Sequence, residues 1–439
     1  MRLTIEKIVY PGRRLGRLEG KVVFTDRGLP GEVVEAEVYR DRKAYAEART
    51  SRIVEASADR REPRCGHFLA CSPYQDMDYA SQLGVKKAQV EEILSRELKR
   101  AVDVGEVVPS PEVWGYRNRV QLKALWERER AEFVYNEPGE EASFVPVDRC
   151  FLVPERTNDL LAEMRERMNG GPWTSVTGVE IKSSRSNGQS LVVLHLDSGK
   201  ELTEISGGLE ELRLRYDLAG AVGFVFDGKR VAKERLFGRD FIEEKAGGLT
   251  YRIGARSFFQ VNVGILERVF GDMEAAVAGM GDPVVADLYC GLGTFGMFLA
   301  GKAREVFGVE ADEENVVYLK KNLALNRIGN FAVCEGTSEE WLPEILERRA
   351  GVVVLDPPRR GIEARMVEAL ARDPVPVVLY LSCNPTTLVR DLKPLVAGAY
   401  ELAGLKVYDF FPHTPHIECL AILMGDMIPV SHLAEPRSG

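Results

Sequence analysis

Three short segments carry side chains capable of covalent chemistry. Cys383 sits in Leu381-Ser382-Cys383-Asn384-Pro385, directly after the apolar run 377–381. Asp356-Pro357-Pro358-Arg359 lies upstream of it, and His416-Ile417-Glu418 lies downstream. A thiolate is a nucleophile, and a neighbouring carboxylate can move the proton that such a reaction releases. A free cysteine is also an ordinary buried core residue, so residue type alone decides nothing. Position is more telling, because each segment begins or ends an apolar strand pattern.

A fourth segment suggests a partner for that chemistry. Asp287-Leu288-Tyr289-Cys290-Gly291-Leu292-Gly293-Thr294-Phe295-Gly296 reads as a strand running into a glycine loop and then a helix. Gly291, Gly293 and Gly296 match GxGxxG, and Glu310 ends the next strand where a ribose-binding acid belongs. Alone, this pattern suggests a nicotinamide enzyme. An acid at that place serves any adenosine ribose, however, and hydride transfer has no need of a thiol nearby. Methylation of an unreactive pyrimidine carbon does need one. Carbon-5 of uracil becomes nucleophilic only after a group such as a thiolate adds to carbon-6. A base must then remove the carbon-5 proton so that the thiol can leave. Cys383 and Glu418 have the types for these two jobs, and Arg359 fits either the enolate oxygen or a phosphate.

The elements that must position these residues follow from periodicity. After residue 250, apolar strand patterns at 284–289, 305–309, 331–333, 352–355, 377–381, 405–409 and 419–424 alternate with amphipathic helices. Asn262 is expected to cap a helix carrying Leu266, Val269, Phe270, Met273 and Val277, and Thr337 with Glu340 a capping box. This predicts a doubly wound α/β domain over 251–439, with ligands at the C-terminal ends of its strands. Residues 1–56 read as four or five short strands (3–10, 21–24, 32–39, 44–54) and predict a small β-barrel. Between them, 57–250 reads as a mixed α+β domain, with a helix over 79–104 and a strand over 120–126.

Composition bounds the reading. A chain of 439 residues predicts two or three domains. No apolar run approaches the roughly 20 residues of a membrane helix. The first residues lack the apolar core of a secretion signal, and seven scattered cysteines argue against a disulfide framework. A cytoplasmic protein with no membrane partner is expected. The net charge of −9 means that a nucleic-acid footprint would have to be local. The first 64 residues hold 15 Lys and Arg against 11 Asp and Glu, with Arg13, Arg14, Arg17, Lys21, Arg42 and Lys43 near the barrel turns. Arg117 and Arg119 are further phosphate candidates and Tyr116 a base-stacking candidate, with a plain surface turn the equal reading. Cys65 and Cys71, with Cys150 at a distance, offer thiolates for a metal. Zinc wants four ligands in tighter pairs, and an iron–sulfur cluster usually four thiolates.

Taken together, the chain resembles the RNA uracil-5-methyltransferases, specifically the ribosomal-RNA type with an N-terminal TRAM barrel. Phe258-Phe259-Gln260-Val261-Asn262, the glycine loop, Asp356-Pro357-Pro358-Arg359, Ser382-Cys383-Asn384-Pro385 and His416-Ile417-Glu418 carry the resemblance. Gly16-Arg17-Leu18-Glu19-Gly20-Lys21-Val22-Val23-Phe24 and Leu29-Pro30-Gly31-Glu32 carry it in the barrel. The resemblance spans nearly the whole chain. It implies a Rossmann-like class I methyltransferase domain, an RNA-binding barrel, and S-adenosylmethionine contacts from Gln260, Tyr289, Glu310 and Asp356. Thr294 stands where relatives often carry Asn. Cys383 is implied as nucleophile and Glu418 as base. Relatives of the ribosomal type commonly hold a four-iron, four-sulfur (4Fe-4S) cluster on four cysteines, three of them spaced C-x5-C-x2-C. Here Cys65 and Cys71 keep the first spacing, Tyr74 occupies the third place and Cys150 stands as the distant ligand. A cluster on these three thiolates is the expectation, and a vestigial site without one the alternative.

The expected activity is methylation of carbon-5 of one uridine, extruded from its helix, in 23S ribosomal RNA by a monomeric enzyme. A tRNA uridine-54 methyltransferase is the alternative, followed by a non-catalytic RNA-binding protein. An amino-group methyltransferase usually has an aromatic residue after Asp-Pro-Pro, where this chain has Arg359.

Overall fold

The computed structural model describes residues 1–137 and 143–425; the end of the expected third domain, 426–439, lies outside the described residues. Strands β1 (Arg2–Val9), β2 (Arg13–Leu18), β3 (Lys21–Thr25), β4 (Val33–Asp41) and β5 (Tyr45–Glu55) close into a barrel in the order β1-β2-β3-β5-β4. Alternation sends Leu3, Ile5, Val23, Val34, Ala36, Ala46 and Ala48 inward to fill it.

The middle of the chain builds one seven-stranded sheet from β6 (Arg119–Glu127), β7 (Arg130–Asn136), β8 (Phe144–Pro146), β9 (Val176–Ser183), β10 (Ser190–Leu196), β11 (Leu218–Phe226) and β12 (Val231–Gly238). The helices Glu155–Gly170 and Leu202–Tyr216 pack their apolar stripes on it. A hairpin of β13 (Phe241–Ala246) and β14 (Leu249–Gly254) leads to the last sheet. The helix expected over 79–104 is shorter, Tyr79–Leu98, because Lys99 turns into the left-handed conformation at φ 54°. Asp78 starts it by accepting from the amides of Ala80 and Ser81.

The last sheet comprises β15 (Val284–Leu288), β16 (Glu305–Glu310), β17 (Phe331–Glu335), β18 (Val352–Leu355), β19 (Val377–Ser382), β20 (Tyr400–Tyr408) and β21 (Glu418–Gly425). Its order is β17-β16-β15-β18-β19-β21-β20, and β21 runs antiparallel to both neighbours. Apolar clusters bury both faces, which explains the unbroken apolar runs of β18 and β19. The Thr337–Glu340 capping box forms as expected. Asn262 precedes the helix Val263–Val277 but does not cap it. Its amide instead donates to Ser110 Oγ (2.9 Å) and to the carbonyl of Phe410 (3.2 Å), bonding the helix start to the 409–417 loop.

That loop is held by a buried charge pair. Lys86 Nζ donates to Asp409 Oδ1 at 2.5 Å and to the carbonyl of Phe411 at 3.0 Å, with both side chains fully buried. One turn away, Gln82 bonds the backbone amide of His413 (2.8 Å) and its ring Nδ1 (3.0 Å). Removing one member of a buried pair strands the other charge. Lys86→Met is therefore expected to destabilise the fold by about 3–5 kcal/mol, read from chemical unfolding curves. Adding Asp409→Leu should restore much of the loss.

Candidate active site

The parallel strands end along one edge, at the point where strand order reverses between β15 and β18. The turn out of β15 holds Tyr289 at φ 62°, a costly value for a non-glycine residue, with Gly291 at 57° and Gly293 at 82°. A Cβ at Gly291 would meet nothing within 4 Å, so the loop is open to a ligand there. Glu310, the last residue of β16, accepts from Gly291 N (2.8 Å) and from the amides of Ala311 and Asp312 (3.0 and 2.7 Å). Its carboxylate thus stands against the glycine loop, as a ribose-binding acid would. Gly296 serves packing instead: its amide donates to buried Asp287 Oδ2 at 2.7 Å, and a Cβ would collide with that carboxylate. Thr294 opens the helix Thr294–Leu299 and is buried. Tyr289 donates its hydroxyl to Glu339 Oε1 (2.5 Å), away from the loop glycines.

Asp356 follows β18 and joins this half of the edge to the next. Gln260 Nε2 reaches Asp356 Oδ2 at 3.3 Å, while Asn118 fixes the Gln260 carbonyl (3.0 Å). Burial pushes the Asp356 carboxyl up to about 7 and that of Asp287 up to about 8. Gln260 and Asp356, with Glu310 beside the open loop, are the groups on this edge that could hold an adenosine-containing methyl donor.

Cys383 and Asn384 are the two residues between β19 and the helix Pro385–Val396. Asn384 caps that helix by accepting from Thr386 N (3.1 Å), and its Nδ2 donates to the Arg359 carbonyl (3.1 Å). Thr387 Oγ1 donates to the same carbonyl, so the loop after Asp356 and the turn at Cys383 are locked together. The antiparallel register pairs Ser382 with Cys419 and Tyr408 with Glu418. One step further along, the end of β19 brings Cys383 to the start of β21 at Glu418. Burial raises the Cys383 thiol to about 11, reinforced by Glu418 and opposed by Arg359. Glu418 is itself buried and held well above the ordinary carboxylate range, with Asp356 adding to the rise. Arg359 Nη2 lies 3.3 Å from His416 Nδ1, and burial keeps that imidazole neutral, with a pKa of about 3.

Several expectations fail on burial. Arg14 is not a phosphate contact: it is 1% exposed, donates to the carbonyls of Gly12 and Pro73, and pairs with Asp76. Tyr116 is also inside, donating to the Pro412 carbonyl (3.1 Å), and Arg117 lies against it. Arg119 pairs with Glu180. Arg13, Arg17 and Lys21 pair with Glu47, Glu6 and Asp41 but, like Arg119, keep partly exposed side chains, so burial does not remove them as phosphate candidates.

The cysteines at 65, 71 and 150 come within electrostatic reach of one another but form no ligand set. Among the described residues, no group of three or more Cys, His, Asp or Glu could hold a metal ion. Cys65 accepts from Gln75 Nε2 (3.3 Å), and Cys71 contacts Ser72 Oγ (3.1 Å). Burial raises the Cys71 thiol to about 12. Tyr74 points its ring into a separate apolar cluster with Ile8, Leu29 and Met77 and takes a hydrogen bond from Gln89. These residues do not fit a four-iron cluster.

A family model described as tRNA (Uracil-5-)-methyltransferase matches residues 78–425, and a TRAM domain model matches residues 1–50. The chain belongs to the RNA uracil-5-methyltransferase family. An uncharacterised RNA methyltransferase of Halalkalibacterium halodurans is 31% identical, with 96% of each chain covered. Another, of Aquifex aeolicus, is 32% identical over 96% of this chain and 98% of its own. The solved Pyrococcus abyssi tRNA (uracil-54, C5)-methyltransferase, in complex with S-adenosyl-L-homocysteine, is 26% identical with a TM-score of 0.77. That match covers 97% of this chain and 99% of the other. This methyltransferase therefore has a class I catalytic domain and a TRAM barrel, and uses S-adenosylmethionine on RNA. No helix among the described residues is long and apolar enough to cross a membrane.

The raised thiol has a measurable consequence. Alkylation of Cys383 by iodoacetamide, followed by mass spectrometry of its peptide, should accelerate about tenfold per pH unit through the neutral range. Glu418→Gln removes the carboxylate that helps raise the thiol, so its alkylation profile should shift to lower pH.

Proposed function

We propose that the enzyme methylates carbon-5 of one uridine in structured RNA, with Cys383 as nucleophile and Glu418 as base. The β19–β21 register supports this reading most directly, because it sets a thiol against a buried carboxylate beside the groups that could hold the donor. Cys383, as thiolate, bonds to carbon-6 of the extruded base, and the displaced electron pair makes an enolate centred on carbon-5. Arg359 lies within electrostatic reach of Cys383 and Glu418 and favours that anion. S-adenosylmethionine, when bound, supplies the electrophilic methyl group that carbon-5 takes up. Gln260, Glu310 and Asp356 would hold the donor, with Tyr289 and Thr294 shaping the loop beside it. Glu418 then removes the carbon-5 proton, and the electrons left behind expel Cys383 from carbon-6. Burial suits Glu418 to this task, since a carboxylate with a raised pKa is a stronger base.

The substrate we assign is 23S ribosomal RNA, on the resemblance of the motif set and barrel to the ribosomal-RNA type. A second reading, tRNA uridine-54, has support from the full-length likeness to the Pyrococcus abyssi enzyme. Cys383→Ala should reduce transfer of a tritiated methyl group to background, and normal transfer would sink the mechanism. Glu418→Gln should instead accumulate a covalent protein–RNA adduct, visible as a shifted band on a denaturing gel. Separate incubation with 23S ribosomal RNA and tRNA transcripts decides the substrate: product on tRNA alone removes the ribosomal assignment.

A further inference from the structure

The barrel reaches the reacting edge of the catalytic domain. Between β1 and β2, Tyr10-Pro11-Gly12 forms a turn closed by Gly12 N donating to the Val9 carbonyl at 2.7 Å. Buried Arg14 braces the turn, donating to the Gly12 carbonyl (2.6 Å) and to that of Pro73 (2.6 Å). Gly12 sits at φ 100°, and a Cβ there would come within 2.8 Å of Pro415 Cβ. The turn is thus pressed against the loop that leads through His416 to Glu418. Tyr10 packs its ring on the apolar cluster beneath the strand ends. Its half-buried hydroxyl is within electrostatic reach of Cys383, Arg359, Cys419 and Glu418. That hydroxyl has no hydrogen-bond partner among the described residues.

A polar group in this state is incomplete. When RNA covers the edge, water is displaced, and an O–H without an acceptor is left desolvated. Burial raises the phenol to about 12, so it remains a neutral donor. Uracil presents two carbonyl oxygens and can accept that hydrogen bond. Resting on the uridine reading above, we infer that the Tyr10 hydroxyl donates to a carbonyl oxygen of the target uracil, making the barrel a contributor to the base pocket. The TRAM domain then does more than hold flanking RNA, because one of its side chains touches the base being modified.

The test compares wild type, Tyr10→Phe and Tyr10→Ala on whichever transcript, ribosomal or tRNA, the wild type methylates. Tyr10→Phe keeps the ring and its packing and removes only the donor. It should lower kcat/KM for RNA about tenfold, as loss of one hydrogen bond to substrate does. Melting temperature and the affinity for S-adenosylhomocysteine by calorimetry should be unchanged. It should also slow formation of the covalent adduct with 5-fluorouridine-substituted RNA. Wild-type kcat/KM in Tyr10→Phe overturns the inference. So does full rescue by Tyr10→Phe of a defect seen in Tyr10→Ala, which would assign the role to the ring. Cys383→Ala run in parallel separates the two levels. If that variant still methylates, the uridine reading fails; if it is inactive while Tyr10→Phe equals wild type, only the Tyr10 assignment fails.

Discussion

The candidate site depends on one topological constraint, the antiparallel insertion of β21 between β19 and β20. In an all-parallel sheet, every strand presents only its C-terminal end to the ligand edge. Reversing one strand lets the beginning of β21 meet the end of β19, so residues 383 and 418 become neighbours. No local feature of either segment could achieve this. The register also controls which face each side chain takes, since a slip of one residue would turn Glu418 to the opposite side of the sheet.

The same edge is electrostatically poised by burial. Cys383, Glu418 and Asp356 all have raised pKa values, and desolvation is the first cause in each. Burial thus disfavours the charged form of all three groups, with the Arg359 guanidinium within electrostatic reach of Cys383 and Glu418. An incoming base that turns anionic on thiol addition would enter a field prepared for one negative charge. Each carboxyl also disfavours ionisation of its neighbours, so their protonation is coupled.

Most of the surrounding architecture converges on the 409–417 loop. The helix Tyr79–Leu98 binds it through Lys86 and Gln82. Tyr116 of the central region donates to Pro412, and Asn262 of the catalytic domain to Phe410. Trp114 stacks on His413 with ring centroids 3.7 Å apart, and the barrel turn abuts Pro415. Several side chains that looked like RNA contacts in one dimension are spent on this loop or beneath it. Arg117 illustrates why: a cationic residue beside a tyrosine reads as a phosphate contact, yet the same pair folds inward once it has buried partners.

Much of the fold was legible in the chain itself. Strands buried on both faces leave unbroken apolar runs, so β15 to β19 could be read almost to their ends, and alternation disclosed the barrel. The capping box at Thr337 was equally local and equally readable. Asn262 does not cap its helix because its side chain finds distant partners, and Lys99 ends a helix whose apolar pattern runs on. Cys65, Cys71 and Cys150 kept a ligand-like spacing, but the bonds of Gln75 and Ser72 and the direction of the Tyr74 ring are three-dimensional facts. The sequence by itself determined the residue types, the strand ends that carry them and the family to which they belong. Only the tertiary structure decided that Cys383 lies near Glu418, that Arg14 and Tyr116 are buried, and that Tyr10 comes within electrostatic reach of both Cys383 and Glu418. The physical reason is that periodicity records how each segment meets the core, whereas strand order, register and domain contact join residues that share no local pattern.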